Sequence, residues 1–202
     1  MAAGVWLREM GALDFAGRTV AHINAGIAAL VAAIVLGKRR GYDNAATLPH
    51  NLPFMVVGAA LLWFGWFGFN CGSALSADGL AVNALMTTHI AAAAAGLSWA
   101  IIEWALNSKP AVLGTATGAV TGLVAITPAA GLVGPVHAII IGLLVNVFCY
   151  FAAAVLKPKL GDDDSLDAFG AHGIGGIWGA IATGIFTSTS VNPGGADGFI
   201  SV

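Results

Sequence analysis

A chain of 202 residues with 58% hydrophobic and 9% charged residues and a mean hydropathy of +0.86 is not a soluble domain, which would carry about 25% charged residues. The net charge of −2 offers no basic patch for phosphates, so nucleic acid binding is disfavoured. Two cysteines without CxxC spacing, Cys71 and Cys149, exclude a disulfide framework and leave no zinc cluster to propose. Twenty-eight glycines allow close helix packing inside a bilayer, and the expected class is an all-α polytopic membrane protein.

The first residues, Met1 to Trp6, lack the basic and apolar regions of a signal peptide. Apolar stretches of about 20 residues then predict spans at about 16–37, 52–71, 80–106, 111–128, 133–156 and 168–189. The breaks carry turn chemistry: Lys38 to Gly41 with Pro49, Gly72 to Gly79, Asn107 to Pro110, Pro128 to Pro135, and Lys157 to Asp164. Basic residues set the orientation, because Lys and Arg in short loops stay cytoplasmic. Lys38, Arg39, Arg40, Lys109, Lys157 and Lys159 follow the first, third and fifth spans, and only Arg8 and Arg18 precede the first. Both ends are therefore expected outside, with the first span running inward. That start suggests that preceding transmembrane segments are absent from this chain.

The first and last spans share a pattern. Leu13-Asp14 precedes His22 and the run His22-Ile23-Asn24-Ala25-Gly26-Ile27; Leu166-Asp167 precedes His172 and the run His172-Gly173-Ile174-Gly175-Gly176-Ile177. With opposite directions in the bilayer, the two helices would be related as in an inverted-repeat transporter, whose site lies near the midplane. Asp14 and Asp167 read as caps for the helix starts. Histidines inside a span face a cavity or a partner. Two imidazoles in contact in an apolar lumen hold at most one added proton between them, and their outer nitrogens can meet a small polar solute. As a metal site, two nitrogens without a nearby carboxylate or thiolate are incomplete.

The second span supplies a wall, Trp63-Phe64-Gly65-Trp66-Phe67-Gly68-Phe69-Asn70, with Ser73 at its outer end. Its aromatics read either as interface anchors or as faces that attract a small cation. No enzyme is expected, since Ser73 is remote in sequence from both paired histidines and has no elbow motif. The run Asp162-Asp163-Asp164 reads as a solvated loop, and His50, His89, His137 and Glu103 read as structural.

These motifs resemble the ammonium transporter family, Amt/Mep, with Rh proteins as more distant relatives. The matching runs are Gly11-Ala12-Leu13-Asp14-Phe15-Ala16-Gly17 with His22-Ile23-Asn24, Pro49-His50-Asn51-Leu52-Pro53, Gly65-Trp66-Phe67-Gly68-Phe69-Asn70 with Gly72-Ser73, and Asp167-Ala168-Phe169-Gly170-Ala171-His172-Gly173. The resemblance implies an eleven-helix protomer assembling as a homotrimer in the plasma membrane, of which residues 1–202 look like helices five to ten, a single but partial domain. It implies that His22 and His172 are the paired pore histidines, Phe69 one of two stacked gate phenylalanines and Trp66 a pore-lining aromatic. Ser73 would be the hydroxyl of the outer recruitment site and Asp14 the acid below it.

In function it implies recruitment of ammonium and passage of ammonia with the proton relayed separately, no cofactor, and a cytoplasmic nitrogen-signalling protein as a family partner. The departures are helices one to four and eleven, the second gate phenylalanine, and the outer-site tryptophan, which would align near Met1; Trp6 looks like the family's later tryptophan of that loop. The rival readings are a non-conducting ammonium-binding scaffold or sensor, an inactive fragment, and a channel for methylamine or carbon dioxide.

Overall fold

The computed structural model describes residues 6–42, 49–161 and 163–200; the position near Met1 expected to align with a tryptophan, Asp162 of the acidic run and both chain ends lie outside them. The described residues are helical, without strands. A short helix α1, Trp6–Glu9, precedes α2 at Thr19–Leu36, α3 at Leu52–Gly72, α4 at Gly79–Asn107, α5 at Val112–Ile126, α6 at Pro135–Leu156, the four-residue α7 at Lys157–Leu160 and α8 at Phe169–Phe186. Five of these, α2, α3, α4, α6 and α8, are long and apolar enough to cross a membrane.

Local chemistry sets several ends. The Asn51 side chain accepts from Phe54 N–H at 3.0 Å, with Pro53 in the first turn of α3. Asp78 accepts from Leu80 and Ala81 N–H at 3.0 and 3.1 Å at the start of α4. These bonds satisfy donors that a helix start leaves without intrahelical partners. Helix α4 stops at Ser108 in the left-handed region, φ 64°, ahead of Pro110. The turn is fastened by Glu103, whose carboxylate accepts from Ala111 N–H at 2.7 Å and from Trp99 Nε1–H at 3.1 Å.

Helix α4 is the centre of the bundle. Ala84, Ala91, Ala92 and Ala95 are wholly buried against glycines of α5 and α6; a Cβ on Gly122 or Gly142 would strike the α4 backbone at Ala91. Close backbone packing of this kind holds helices together where lipid is as apolar as the side chains. Asn146 of α6 adds polar bonds in the same layer, donating to Ala95 O and to Ser98 Oγ and accepting from the Thr121 hydroxyl.

The fourth expected span, 111–128, is helical for 15 residues only, about 22 Å at the usual rise and short of the ~30 Å hydrocarbon core. Buried turns continue it from Thr127 to Val133. Irregular backbone at that depth requires protein partners, and α4 supplies them: Asn83 Nδ2 donates to Ala130 O and Val133 O, both at 3.1 Å, and the Thr87 hydroxyl lies 2.8 Å from Ala130 O.

The connections sort to two faces. Arg39, after α2, bonds Asp163, after α7, through its backbone N–H at 2.7 Å and its guanidinium at 2.6 Å. This hydrogen bond holds the Asp163 carboxyl below the usual carboxylate range. Asn107, at the end of α4, donates to the Tyr150 hydroxyl at 3.2 Å. On the other face, the segment before α2, the α3–α4 turn and the segment after α8 meet around one cleft. Arg18, counted above among loop charges, lies in neither face: it is buried between α2 and α8.

Candidate functional site

Helices α2 and α8 open alike. Each begins with a π-helical stretch, Thr19–Ile23 and Phe169–Ile174, and each stretch carries a histidine, His22 or His172. Wide turns of this kind recur at functional sites. A buried aspartate holds each start. Asp14 accepts from Arg18 N–H at 2.7 Å and Thr19 N–H at 2.8 Å; Asp164 accepts from Phe169 N–H at 2.7 Å and Leu166 N–H at 3.3 Å.

That arrangement corrects two expectations. Asp167 does not cap with its side chain. Its backbone sits at φ 52° and its carboxylate pairs with Lys157 Nζ at 2.7 Å, while Asp164 takes the role. Nor do Asp163 and Asp164 of the acidic run form a solvated loop, since Asp164 is buried and Asp163 binds Arg39. The signal was present in the spacing: Asp14 stands eight positions before His22, and Asp164 stands eight before His172.

The two helices cross with reversed order. Room for Arg18 is left by Gly179, for Ile23 by Gly176, and the backbones of Gly26 and Gly173 meet directly. A Cβ at Gly26 would overlap the Gly173 backbone, so glycine is required there. The crossing brings the rings together: His22 Nδ1 and His172 Nδ1 are 3.2 Å apart.

For this to be a hydrogen bond, one ring must carry its proton on Nδ1 and the other on Nε2. The pair then presents one bare Nε2 acceptor and one Nε2–H donor. The His22 Nε2 is buried and has no partner among the described residues.

Trp66 stacks on His22 with centroids 5.1 Å apart and planes 15° apart, held by its Nε1–H bond to Thr127 Oγ1 at 2.9 Å. Thr127 is a positioning partner that the sequence motifs did not indicate. Phe69 tilts against both rings, 6.2 Å from His22 and 6.1 Å from Trp66. Ser73 stands apart from this cluster: its hydroxyl donates to Phe69 O at 2.8 Å, and it shares with Asp14, Phe15, Leu132 and Asn192 an open cleft of about 400 Å³.

A second cleft, of about 360 Å³, reaches His172 from the other half of α3, at Met55 and Gly58. The histidine pair thus stands between two clefts that open at opposite ends of α3. Of the remaining histidines, His137 stacks on Phe186 at 5.1 Å and His89 lies against Trp63 and Phe67, both away from the pair. Among the described residues, no three His, Cys, Asp or Glu side chains converge as metal ligands.

The sequence model described as the Ammonium Transporter Family matches residues 1–201. The ammonium transporter of Bacillus subtilis (strain 168) is 57% identical over 195 residues, which are 96% of this chain and 48% of the relative. Ammonium transporter Amt1 of Archaeoglobus fulgidus is 51% identical over 190 residues, 94% of this chain and 48% of the relative. The crystal structure of Saccharomyces cerevisiae Mep2 superposes with a TM-score of 0.84 at 39% identity, over 94% of this chain and 42% of that one. A structure titled Sensor Amt Protein superposes with a TM-score of 0.86 at 36% identity, over 94% and 49%. The chain spans about half the length of the relatives it matches.

The two aspartates separate by experiment. Asp164→Ala removes a buried cap and is expected to cost about 1–2 kcal/mol, whereas Asp167→Ala loses a partly exposed ion pair worth under about 1 kcal/mol. Denaturant unfolding of the chain in detergent measures both; a larger loss at Asp167 would return the capping role to it.

Proposed function

The chain belongs to the ammonium transporter family, and on that premise we propose that it forms the histidine-bearing half of a pore that recruits ammonium and passes ammonia, the proton being relayed separately. The observation that carries this reading is the His22–His172 contact between two clefts, walled by Trp66 and Phe69. Ser73 and Asp14 border the outer cleft, where a hydroxyl, a carboxylate and a nearby aromatic ring suit a small cation. Moving an unpaired cation into hydrocarbon costs on the order of tens of kcal/mol, whereas a neutral small amine loses only hydrogen bonds. Ammonium therefore gives up its proton before the apolar stretch. The paired rings then offer ammonia one acceptor and one donor, in place of water. Potassium has no proton to lose and stops at the same barrier.

Helices α2 and α8 act as matched elements of an inverted repeat, a reading supported by the shared eight-residue Asp-to-His spacing, the two π openings and the reversed contact order. The other half of the pore, with the second gate phenylalanine, comes from helices that the relatives carry beyond the matched half. Completed in that way, the protein forms a homotrimer in the plasma membrane and can meet a cytoplasmic nitrogen-signalling protein. The second reading, an ammonium-binding sensor or scaffold that does not conduct, is favoured by the likeness to the structure titled Sensor Amt Protein.

The loops carrying Lys38–Arg40, Lys109 and Lys157–Lys159 face the cytoplasm, with Asp78, Asp197 and both chain ends outside. This is supported by the Lys/Arg distribution and by the Arg39–Asp163 bond, which joins two of those loops. Cysteine placed at positions 39 and 109 is expected to resist labelling from outside while cysteine at 78 and 197 reacts; reaction at 39 or 109 would reverse the orientation.

Function is tested in proteoliposomes with ammonium and excess potassium. The chain completed to the length of its relatives is expected to take up ammonium-derived ammonia without inhibition by potassium. The chain alone is expected to show little uptake, because its histidine groove is left facing lipid. Robust selective uptake by the chain alone would overturn the half-pore reading, and ammonium binding without uptake by the completed protein would favour the sensor.

A further inference from the structure

Asp14 and Asp164 each commit both carboxylate oxygens to the backbone of a helix start. Asp167 commits neither. Its Oδ1 meets Lys157 Nζ at 2.7 Å, and Oδ2 bonds to none of the described residues. The carboxylate is one-third exposed and borders the inner cleft of about 360 Å³, beside the exposed Ser165 and in line with His172.

The backbone at Asp167 has a counterpart at the other helix start. Asp167 stands five positions before His172, and Gly17 stands five before His22. Both are left-handed, with φ of 52° and 75°. Their carbonyls accept matched bonds, from Ala171 N–H at 2.8 Å and from Ala21 N–H at 3.0 Å. The turn calls for a left-handed residue, which glycine supplies without a clash at Cβ. An aspartate in that place carries strain that the turn does not require, and strain of this kind is held where a side chain has another use.

The inner cleft supplies that use. A separation of five residues corresponds to a rise of roughly 8 Å along a helix, beyond a direct hydrogen bond between Asp167 and His172. The cleft between them has room for on the order of ten waters at about 30 Å³ each, and bridging waters link groups at this range. The other ionisable groups near the carboxylate are occupied: Asp164 binds backbone N–H groups, and Lys157 donates to Asp167 itself.

We propose that Asp167 is the inner acceptor of the proton relay. The inference rests on the pore reading above, which leaves the inner end of the relay unassigned. A proton held by the His22–His172 pair leaves its ring nitrogen, passes along water in the cleft and forms an O–H bond on Asp167. The carboxyl then releases it to cytoplasmic water, and the rings return to their neutral state.

The test is the charge moved per solute taken up, from paired current and uptake measurements on the completed transporter in proteoliposomes with ammonium chloride. The wild type is expected to move about one charge per solute, the relayed proton. Asp167→Gly installs the residue found at the matched turn, and Asp167→Asn keeps the side-chain shape. Both are expected to lower the ratio by roughly tenfold or more, uptake continuing as uncharged ammonia while the proton returns to the outer solution. Lys157→Met breaks the same ion pair but keeps the carboxylate, and is expected to hold the ratio near the wild-type value. An unchanged ratio in either Asp167 variant, current and uptake that fall in parallel, or a Lys157 variant that matches Asp167→Gly each overturns the inference. A wild type that takes up solute without moving charge would instead overturn the relay in the pore reading, and a wild type without uptake the pore itself.

Discussion

The two imidazoles meet beside a crossing where the backbones that carry them come unusually close, and much of this chain's architecture serves that approach. The 3.2 Å contact between His22 and His172 needs the Gly26–Gly173 crossing, where any side chain at Gly26 would meet backbone. It needs both helices to open in a wide π turn that sets the ring directions. It also needs the two starts fixed, and Asp14 and Asp164 do this with four bonds to backbone N–H groups. The ring wall depends on the same geometry, since Trp66 reaches its stacking position through Thr127 at the end of α5.

Satisfaction of polar groups away from water governs the rest. The shortened α5 ends in buried turns whose carbonyls are met by Asn83 and Thr87 of α4, and Asn146 ties α4, α5 and α6 together at one level. Against that background, unmet polar atoms near the site stand out. His22 Nε2 and two guanidinium nitrogens of Arg18 are such atoms. Arg18 stands just before α2 and His22 in its first turns.

Composition and apolar length made the helical membrane class legible, because a bilayer imposes one length and one hydrogen-bonding solution on a spanning segment. The histidine pair was legible from the matched runs after His22 and His172. The caps were only half legible: Leu-Asp is repeated before both histidines, yet the dipeptide led to Asp167, while the geometry shared by the two helix starts lay in the eight-residue spacing that leads to Asp164. Thr127, Glu103 and Arg18 were not assigned partners in advance, because each bonds across helices or to a following turn and no local pattern encodes such contacts. Arg18 in particular reads as a loop charge until the glycine slot on α8 is seen to receive it.

The central proposal is that in the completed transporter the paired rings, rather than the pore's apolar walls alone, let ammonia through while refusing potassium. The most direct measurement replaces His22 and His172 together by alanine in the completed transporter and compares ammonium and potassium uptake in proteoliposomes. The account predicts that discrimination against potassium falls by roughly tenfold or more, the loss of a hydrogen-bonding partner for the solute. Discrimination unchanged from the wild type would contradict it.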